Sequence, residues 1–419
     1  MVITEHDEIY GIEIPDSWTV EKLEPKVGNV KSGKRLPKGF YVTDMHTNHP
    51  YIRVIDMREG YIDTGDIKYV PDEAFPAIQS YRIFKDDIFI SVAGTLGIVG
   101  QIPEYLDGAN LTENANRITN IKCDVKYLMY WLMSGIIQNI ISQTQTLGAQ
   151  PKLALTRIRN FPVILPPMIE QERIAEAFMD IDALIMRLNK LIVKKKNIRH
   201  GALQMLITGK KRLSGFSGDW IKINLSKNSR LKARIGWQGL TTAEYLDEGY
   251  SYLITGTDFK DGQINWNGCH YVDYDRYAQD PNIQVSNGDL LLTKDGTIGK
   301  VAYVTGLKRP ATLNSGIFLV KPITDAYTAH FMFYVLESSV FKDFLQHLSA
   351  GSTINHLYQK DLVKFELFVP PTKEEQEAIA GILFDMDSEI HKLEEKLSKI
   401  QKVKQGMMEE LLTGKVRLV

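Results

Sequence analysis

The sequence predicts an α+β chain in which two similar α/β domains are separated by a pair of long antiparallel coiled-coil helices and related by internal pseudo-two-fold symmetry. Three observations predict it. Leu165-Pro-Pro-Met-Ile-Glu-Gln171 through Thr208-Gly-Lys-Lys-Arg-Leu213 returns as Val369-Pro-Pro-Thr-Lys-Glu-Glu-Gln376 through Thr413-Gly-Lys-Val-Arg-Leu418, at a displacement of 205 from the glutamines onward (171 to 376, 213 to 418). Each copy carries a seam of apolar residues alternating at four and three. The stretches between the copies also correspond: Trp18 matches Trp220, and Lys85–Gly97 matches Asn287–Gly299, displaced by 202 (18 to 220, 97 to 299). Solenoid repeats run roughly 20 to 50 residues, so so long a period points instead to a two-fold arrangement inside one chain, of the kind that faces two-fold partners.

The first domain, residues 1–163, consists of short segments rich in Val, Ile, Tyr and Phe bounded by Gly, Asp and Asn, which read as strands of a twisted sheet. A helical run over Val125–Ile141, then Gly148-Ala-Gln, then a short strand leads into the Pro-Pro pair. Residues 164–213 are the central long helix. Its seam is Ile174, Phe178, Ile181, Ile185, Leu188 and Ile192, a heptad pattern. Pro-Pro blocks helix upstream, Glu170 and Glu172 put negative charge in the first turn, Lys194, Lys195, Lys196 and Arg199 put positive charge toward the other end, and Gly209 supplies a stop. The second domain, residues 214–368, repeats the plan with a helical run over Thr328–Leu348 and Gly351-Ser-Thr. Residues 369–419 repeat the helix, with Glu374, Glu375 and Glu377 at its start, a seam of Ile379, Leu383, Met386, Ile390, Leu393, Leu397 and Ile400, basic Lys399, Lys402 and Lys404, and a stop at Gly414. Each helix of about forty residues would extend roughly 60 Å. An amphipathic helix of that length must cover its seam. Pairing of the two copies within one chain does so most economically; an intermolecular dimer coiled coil is the alternative.

Composition narrows the class. At 419 residues the chain exceeds a single core. The formal net charge is −1, so nucleic-acid binding would rely on local basic patches or on a partner's charge. Two cysteines, Cys123 and Cys269, lie in different halves without a C-x-x-C pairing, which encodes neither a disulfide framework nor a zinc site and suits a reducing cytosol. The first residues, Met-Val-Ile-Thr-Glu-His-Asp-Glu, lack the basic and apolar regions of a signal peptide, and no run of about twenty apolar residues offers a membrane span. A cytoplasmic protein is expected.

Catalytic motifs are not supported. Thr208-Gly-Lys-Lys and Thr413-Gly-Lys-Val lack the upstream glycine and the magnesium-binding hydroxyl of a phosphate loop. The Pro-Pro pairs are flanked by Leu and Met, or by Val and Thr. An amino-methyltransferase loop needs an amide or carboxylate before the prolines and an aromatic after them. Pro15-Asp16 with Glu24-Pro-Lys26 imitates a magnesium-nuclease pattern, but the interval is short and Pro25 interrupts the expected strand. Gly94-Thr-Leu-Gly97 and Gly296-Thr-Ile-Gly299 read as tight turns after buried strands, and His46-x-x-His49 as a polar loop. No metal ligands or catalytic residues are assigned.

Basic and aromatic clusters carry the positive signal. Lys31, Lys34, Arg35 and Lys38 follow Trp18, while Arg230, Lys232, Arg234 and Trp237 follow Trp220. Lys and Arg on such loops contact phosphates, and Arg, Asn and Gln read purine edges in the major groove. Arg53 and Arg58 join the candidates in the first domain, and Trp266, Lys294, Lys308 and Arg309 in the second.

The duplicated Pro-Pro-x-x-Glu-Gln-like helix start, the heptad helix ending Leu-x-Thr-Gly-Lys-x-Arg-Leu, and the two diverged domains with Gly-Thr-x-Gly elements resemble the specificity subunit of Type I restriction-modification systems, over essentially the whole chain. Arg234-Ile-Gly-Trp-Gln-Gly-Leu240, Leu253-Ile-Thr-Gly-Thr-Asp-Phe259 and Leu291–Gly299 are similar to one widespread type of target-recognition domain. The first copy departs from it, with Asp86-Asp87 for Gly-Asp and Gly148-Ala-Gln for Gly-Ser-Thr. The resemblance implies a subunit without catalysis, each target-recognition domain reading one half of a split double-stranded DNA site and the helices setting the spacer. It further implies two methyltransferase subunits carrying S-adenosylmethionine and methylating adenine, restriction subunits using ATP and Mg where present, and no cofactor on this chain. Two other readings are the targeting part of a single-chain restriction-methylation enzyme, and a coiled-coil scaffold that binds no DNA.

Overall fold

A computed structural model of the chain describes residues 13–143, 151–236, 239–349 and 356–419. The opening residues Met1–Glu8, the Gly148-Ala-Gln and Gly351-Ser-Thr segments and Trp237 lie outside them. Two compact units emerge, one built from residues up to 189 together with 395–419, the other from 190–394. Each unit therefore takes one α+β domain and half of each long helix.

In the first unit, a four-stranded antiparallel sheet orders Asn29–Ser32, Ala115–Thr119, Ile88–Ser91 and Val99–Gly100. A second four-stranded sheet orders Lys68–Tyr69, Pro50–Ile52, Ala109–Leu111 and Arg82–Ile83, with a parallel pairing at its centre. The second unit repeats this plan. Ser229–Lys232, Ile317–Pro322, Leu290–Thr293 and Val301–Tyr303 form its first sheet, and His270–Val272, Ser251–Ile254 and Ala311–Leu313 the second. All four residues of Ile88–Ser91 and of Leu290–Thr293 are buried, which explains why three successive apolar residues open each strand without a polar alternation.

The expected helical run over Val125–Ile141 is two helices, Val125–Met133 and Gly135–Ser142; the run over Thr328–Leu348 is likewise Ala329–Glu337 and Ser339–Leu348. Extended serines, Ser134 (φ −63°, ψ 153°) and Ser338 (φ −75°, ψ 174°), make the breaks. The Ser338 hydroxyl accepts from the Val340 amide and donates to the Val335 carbonyl, the local competition with helical bonding that serine offers.

The long helices run Met168–Ile207 and Lys373–Leu411, 40 and 39 residues. Each is preceded by a strand, Pro162–Leu165 or Glu366–Val369, so the Pro-Pro pairs mark a strand-to-helix junction. Gly209 (φ 69°) and Gly414 (φ 75°) end them in the left-handed conformation. A Cβ on Gly414 would also sit 2.6 Å from the Pro15 ring. The helices pair within the chain and antiparallel. In the first unit Asp182 meets Lys404 (2.6 Å) and Glu170 meets Arg417 (2.6 Å). In the second, Lys195 meets Glu389 (2.7 Å), Arg199 meets Asp387 (2.8 Å) and Arg212 meets Glu375 (2.7 Å). Moving forward along one helix moves backward along the other.

The seam is not uniformly apolar. Ile174, Phe178, Leu188, Ile192, Ile379, Leu383 and Ile390 are buried, whereas Ile185, Leu393, Leu397 and Ile400 stay partly exposed. Beyond Ile192 the four-three spacing reaches Lys195 and Arg199, both ion-paired across the seam. Glu170 and Glu375, which place negative charge in the first turns, are 3% and 1% exposed. Arg417 and the Trp18 indole both hydrogen-bond to Glu170. The Arg417 guanidinium, followed by the other hydrogen bonds, holds the Glu170 carboxyl below its ordinary value of 4.5. In that interval the unfolded chain binds more protons than the folded one. The stabilisation is therefore complete above the ordinary glutamate value and fades as pH falls through the folded value. Urea unfolding as a function of pH should show this acid limb, and Glu170→Gln should flatten it.

Candidate nucleic-acid interface

In the first unit, Lys31 lies exposed on Asn29–Ser32, and Lys34, Arg35 and Lys38 continue along the following exposed segment. The Lys34 ammonium stands 5.6 Å from the Tyr81 ring centroid, and Arg35 pairs loosely with Glu113 (3.1 Å) while keeping 76% of its side chain exposed. These four form one basic surface segment. Arg53 is committed elsewhere: its guanidinium binds Asp56 (2.7 Å) and Asp66 (3.2 Å), and the Asp56 carboxylate accepts from the Arg53 amide. Arg58 donates to the Ile55 and Met57 carbonyls and pairs with Asp63 (2.9 Å). Both arginines hold local turns as placed.

In the second unit, Arg230 and Lys232 are exposed on Ser229–Lys232, an edge strand. Arg234 corrects the expectation. It is 2% exposed, with Nε donating to the Leu313 carbonyl (2.9 Å) and Nη2 to the Thr312 hydroxyl (3.2 Å), so it fastens the core. Lys294 keeps only 13% of its side chain exposed, near Asp295 (3.7 Å), with its ammonium 5.6 Å from the Phe318 centroid. Arg309 is exposed, 6.0 Å from the Tyr271 ring.

Trp266 and Lys308 come together in a cleft of about 900 Å³. Its walls also bear Lys196, His200, Lys260, Gln263 and Asn267. Trp266 is fixed there by donation from its indole to the Thr305 carbonyl (2.9 Å) and by packing on Tyr252, centroids 5.2 Å apart. Acidic groups in the cleft are largely answered: Arg199 holds Glu337 and Asp387, and Lys196 pairs with Glu394 (2.7 Å).

The elements read as turns are turns. Gly94, Gly97, Gly296 and Gly299 all have positive φ. The Ser91 and Thr293 hydroxyls each donate to the carbonyl four residues on, Thr95 or Thr297 (2.6 Å both). A Cβ on Gly299 would lie 2.5 Å from Leu345. Glu24 accepts from the Val30 amide (3.1 Å) and pairs with Arg159.

Type I restriction modification DNA specificity domains match residues 15–197 and 219–402. The chain belongs to the type I restriction-modification DNA specificity family. Among relatives, the type I restriction enzyme MjaVIII specificity subunit of Methanocaldococcus jannaschii is 25% identical over 434 residues, covering 98% of this chain and 96% of that one. The fold is similar to that of the type I restriction-modification S subunit from M. genitalium (17% identity, TM-score 0.61, 95% of this chain and 96% of that one). It is also similar to a chain from a structure on complex assembly and conformational transition of the type I R-M system (16% identity, TM-score 0.55, 96% of this chain and 99% of that one).

The duplicated family domains share groups that sequence reasoning missed. Gln171 accepts from the Asp124 amide (2.9 Å) and donates to the Pro166 carbonyl (2.8 Å); Gln376 accepts from Thr328 (2.8 Å) and donates to Pro370 (3.0 Å). Tyr130 and Tyr334 each donate to the inter-helix aspartate, Asp182 or Asp387 (2.9 and 3.1 Å), beneath a cation, Lys404 or Arg199. A pair of tyrosines at the same offset before each Pro-Pro was the available signal. Among the described residues no helix is long and apolar enough to cross a membrane.

These placements separate two kinds of basic residue. Arg234→Ala leaves two buried acceptors unpaired and should lower stability by roughly 1–3 kcal/mol, read by thermal melting. Lys31→Ala with Lys38→Ala should leave melting unchanged and weaken DNA binding uniformly across sequences, with a shallower salt dependence.

Proposed function

We propose that this chain is the DNA-reading subunit of a type I restriction-modification complex, each domain recognising one half of a bipartite site. The observation that carries the reading is that one scaffold is built twice in one polypeptide, down to equivalent buried Gln and Glu residues and the arginines that pair with the Glu, while exposed side chains at equivalent positions differ. A scaffold that repeats its interior and varies its surface suits two related recognition tasks on different sequences.

Catalysis belongs to partners in this reading. Two methyltransferase subunits, carrying S-adenosylmethionine, methylate an adenine in each half-site, and restriction subunits using ATP and Mg add cleavage where the system has them. The Pro-Pro pairs support the division: Gln171 and Gln376 fold back onto them, making them a helix start. A near-neutral chain is compatible with DNA binding when its exposed lysines are local and partners supply further cations. The helix pair serves as the ruler for the spacer.

Co-expression with the methyltransferase subunit of its system, followed by genome-wide methylation mapping, tests this. The expected result is a split motif with adenine methylation in both halves; methylation that persists when this chain is deleted would overturn it. Replacing residues 214–368 with another domain of the family should change one half-site and leave the other intact.

A further inference from the structure

We infer that a duplicated β-hairpin, Met57–Ile62 in the first unit and Phe259–Ile264 in the second, is the element that reads bases in each half-site. The inference rests on the DNA-reading function proposed above and assigns it to particular side chains.

The two hairpins are one construction at a displacement of 202 (56 to 258, 62 to 264). Met57 pairs with Ile62 and Arg58 with Tyr61; Phe259 pairs with Ile264 and Lys260 with Gln263. Each turn closes on a left-handed glycine, Gly60 (φ 85°) or Gly262 (φ 76°). That glycine's carbonyl accepts from the neighbouring sheet, from the Gln101 amide (3.3 Å) or the Tyr303 amide (2.9 Å). A buried aspartate ties off the base: Asp56 accepts from the Arg53 amide (2.8 Å) and Asp258 from the Thr255 amide (2.7 Å). The chain leaves through the same bond, Asp63 amide to Asp56 carbonyl (2.8 Å) or Asn265 amide to Asp258 carbonyl (2.9 Å). Met57, Ile62, Phe259 and Ile264 are buried. Everything facing inward is thus equivalent.

Facing outward, Arg58 and Lys260 stay basic and Glu59 and Asp261 stay acidic, but three positions differ in kind. Tyr61 stands where Gln263 stands, Asp63 where Asn265 stands and Gly65 where Asn267 stands, and all six are exposed. Asp63 is taken up by Arg58 (2.9 Å) and by the Gly65 amide (3.2 Å), so Tyr61, Gln263 and Asn267 are the outward groups that a ribbon with a shared interior leaves for recognition. A two-stranded ribbon fits the major groove, and a Gln or Asn amide can both donate to and accept from an adenine edge. In the second unit the ribbon forms a wall of the cleft, where Lys260 and Lys308 supply cations for flanking phosphates. In the first unit Arg58 is consumed by its own turn, which leaves Tyr61, 56% exposed, as the outward group.

The test uses the full chain in complex with its methyltransferase partner. It compares methylation maps and duplex competition for Gln263→Ala with Asn267→Ala, for Tyr61→Ala and for the unaltered chain, with melting temperatures as a folding check. The Gln263/Asn267 change should cost roughly tenfold discrimination at one or two positions of one half-site and spare the other; Tyr61→Ala should do the converse. Gln263→Glu, which keeps shape but removes the donor, should shift the preferred base at the same position. Wild-type preference retained by these variants, or both half-sites relaxing together, overturns the hairpin assignment alone. No bipartite preference from the unaltered chain overturns the function and the hairpin with it.

Discussion

A buried glutamate clasped by an arginine at each domain–helix junction is the constraint on which the rest of the structure depends. Glu170 lies in the first turn of the central helix and takes both oxygens' worth of bonding from Arg417, with Trp18 as a third donor. Glu375 and Arg212 repeat the clasp in the second unit, at 2.8 and 2.7 Å. Burying a carboxylate is expensive unless its lone pairs are filled, and bidentate pairing to a planar guanidinium fills them with a fixed geometry. Each clasp joins the start of one long helix to the residues just past the end of the other. A four-three apolar seam alone is nearly indifferent to direction and to slips of seven residues. Charged groups at unique positions, here the two clasps and the Asp182–Lys404 and Asp387–Arg199 pairs, remove that freedom.

Much of this architecture was legible because its causes are local. Pro-Pro, the heptad spacing and the glycine stops each act within a few residues, so both long helices could be placed from pattern alone. The clasps could not. Glu170 and Arg417 are 247 residues apart, and an arginine beside a chain end looks like any solvated cation. The helix breaks at Ser134 and Ser338 were missed because apolar periodicity continues across them. Arg234 misled for a related reason. It sits in a basic run whose neighbours Arg230 and Lys232 point outward, but past the strand's end the alternation lapses and its guanidinium turns into the core.

The hairpins show the same division from the functional side. Sequence comparison of the two halves marked what they share, and the structure separates that shared set into buried aspartates, glycines and apolar residues. What remains is a small outward set on a rigid ribbon. Basic residues drew attention first because charge is conspicuous in a sequence. Once Arg53, Arg58 and Arg234 are seen to be occupied within the fold, uncharged polar groups on the hairpins become the stronger candidates for the base reading we propose.

The clasp is most directly tested by a double-mutant cycle in melting temperature on the full chain, using Glu170→Ala, Arg417→Ala and both together. The account predicts that each single change destabilises the protein and that the double variant melts no lower than the worse single, because removing one partner already strands the other. Strictly additive losses would contradict it, showing that the two residues act separately and that the junction is held by something else.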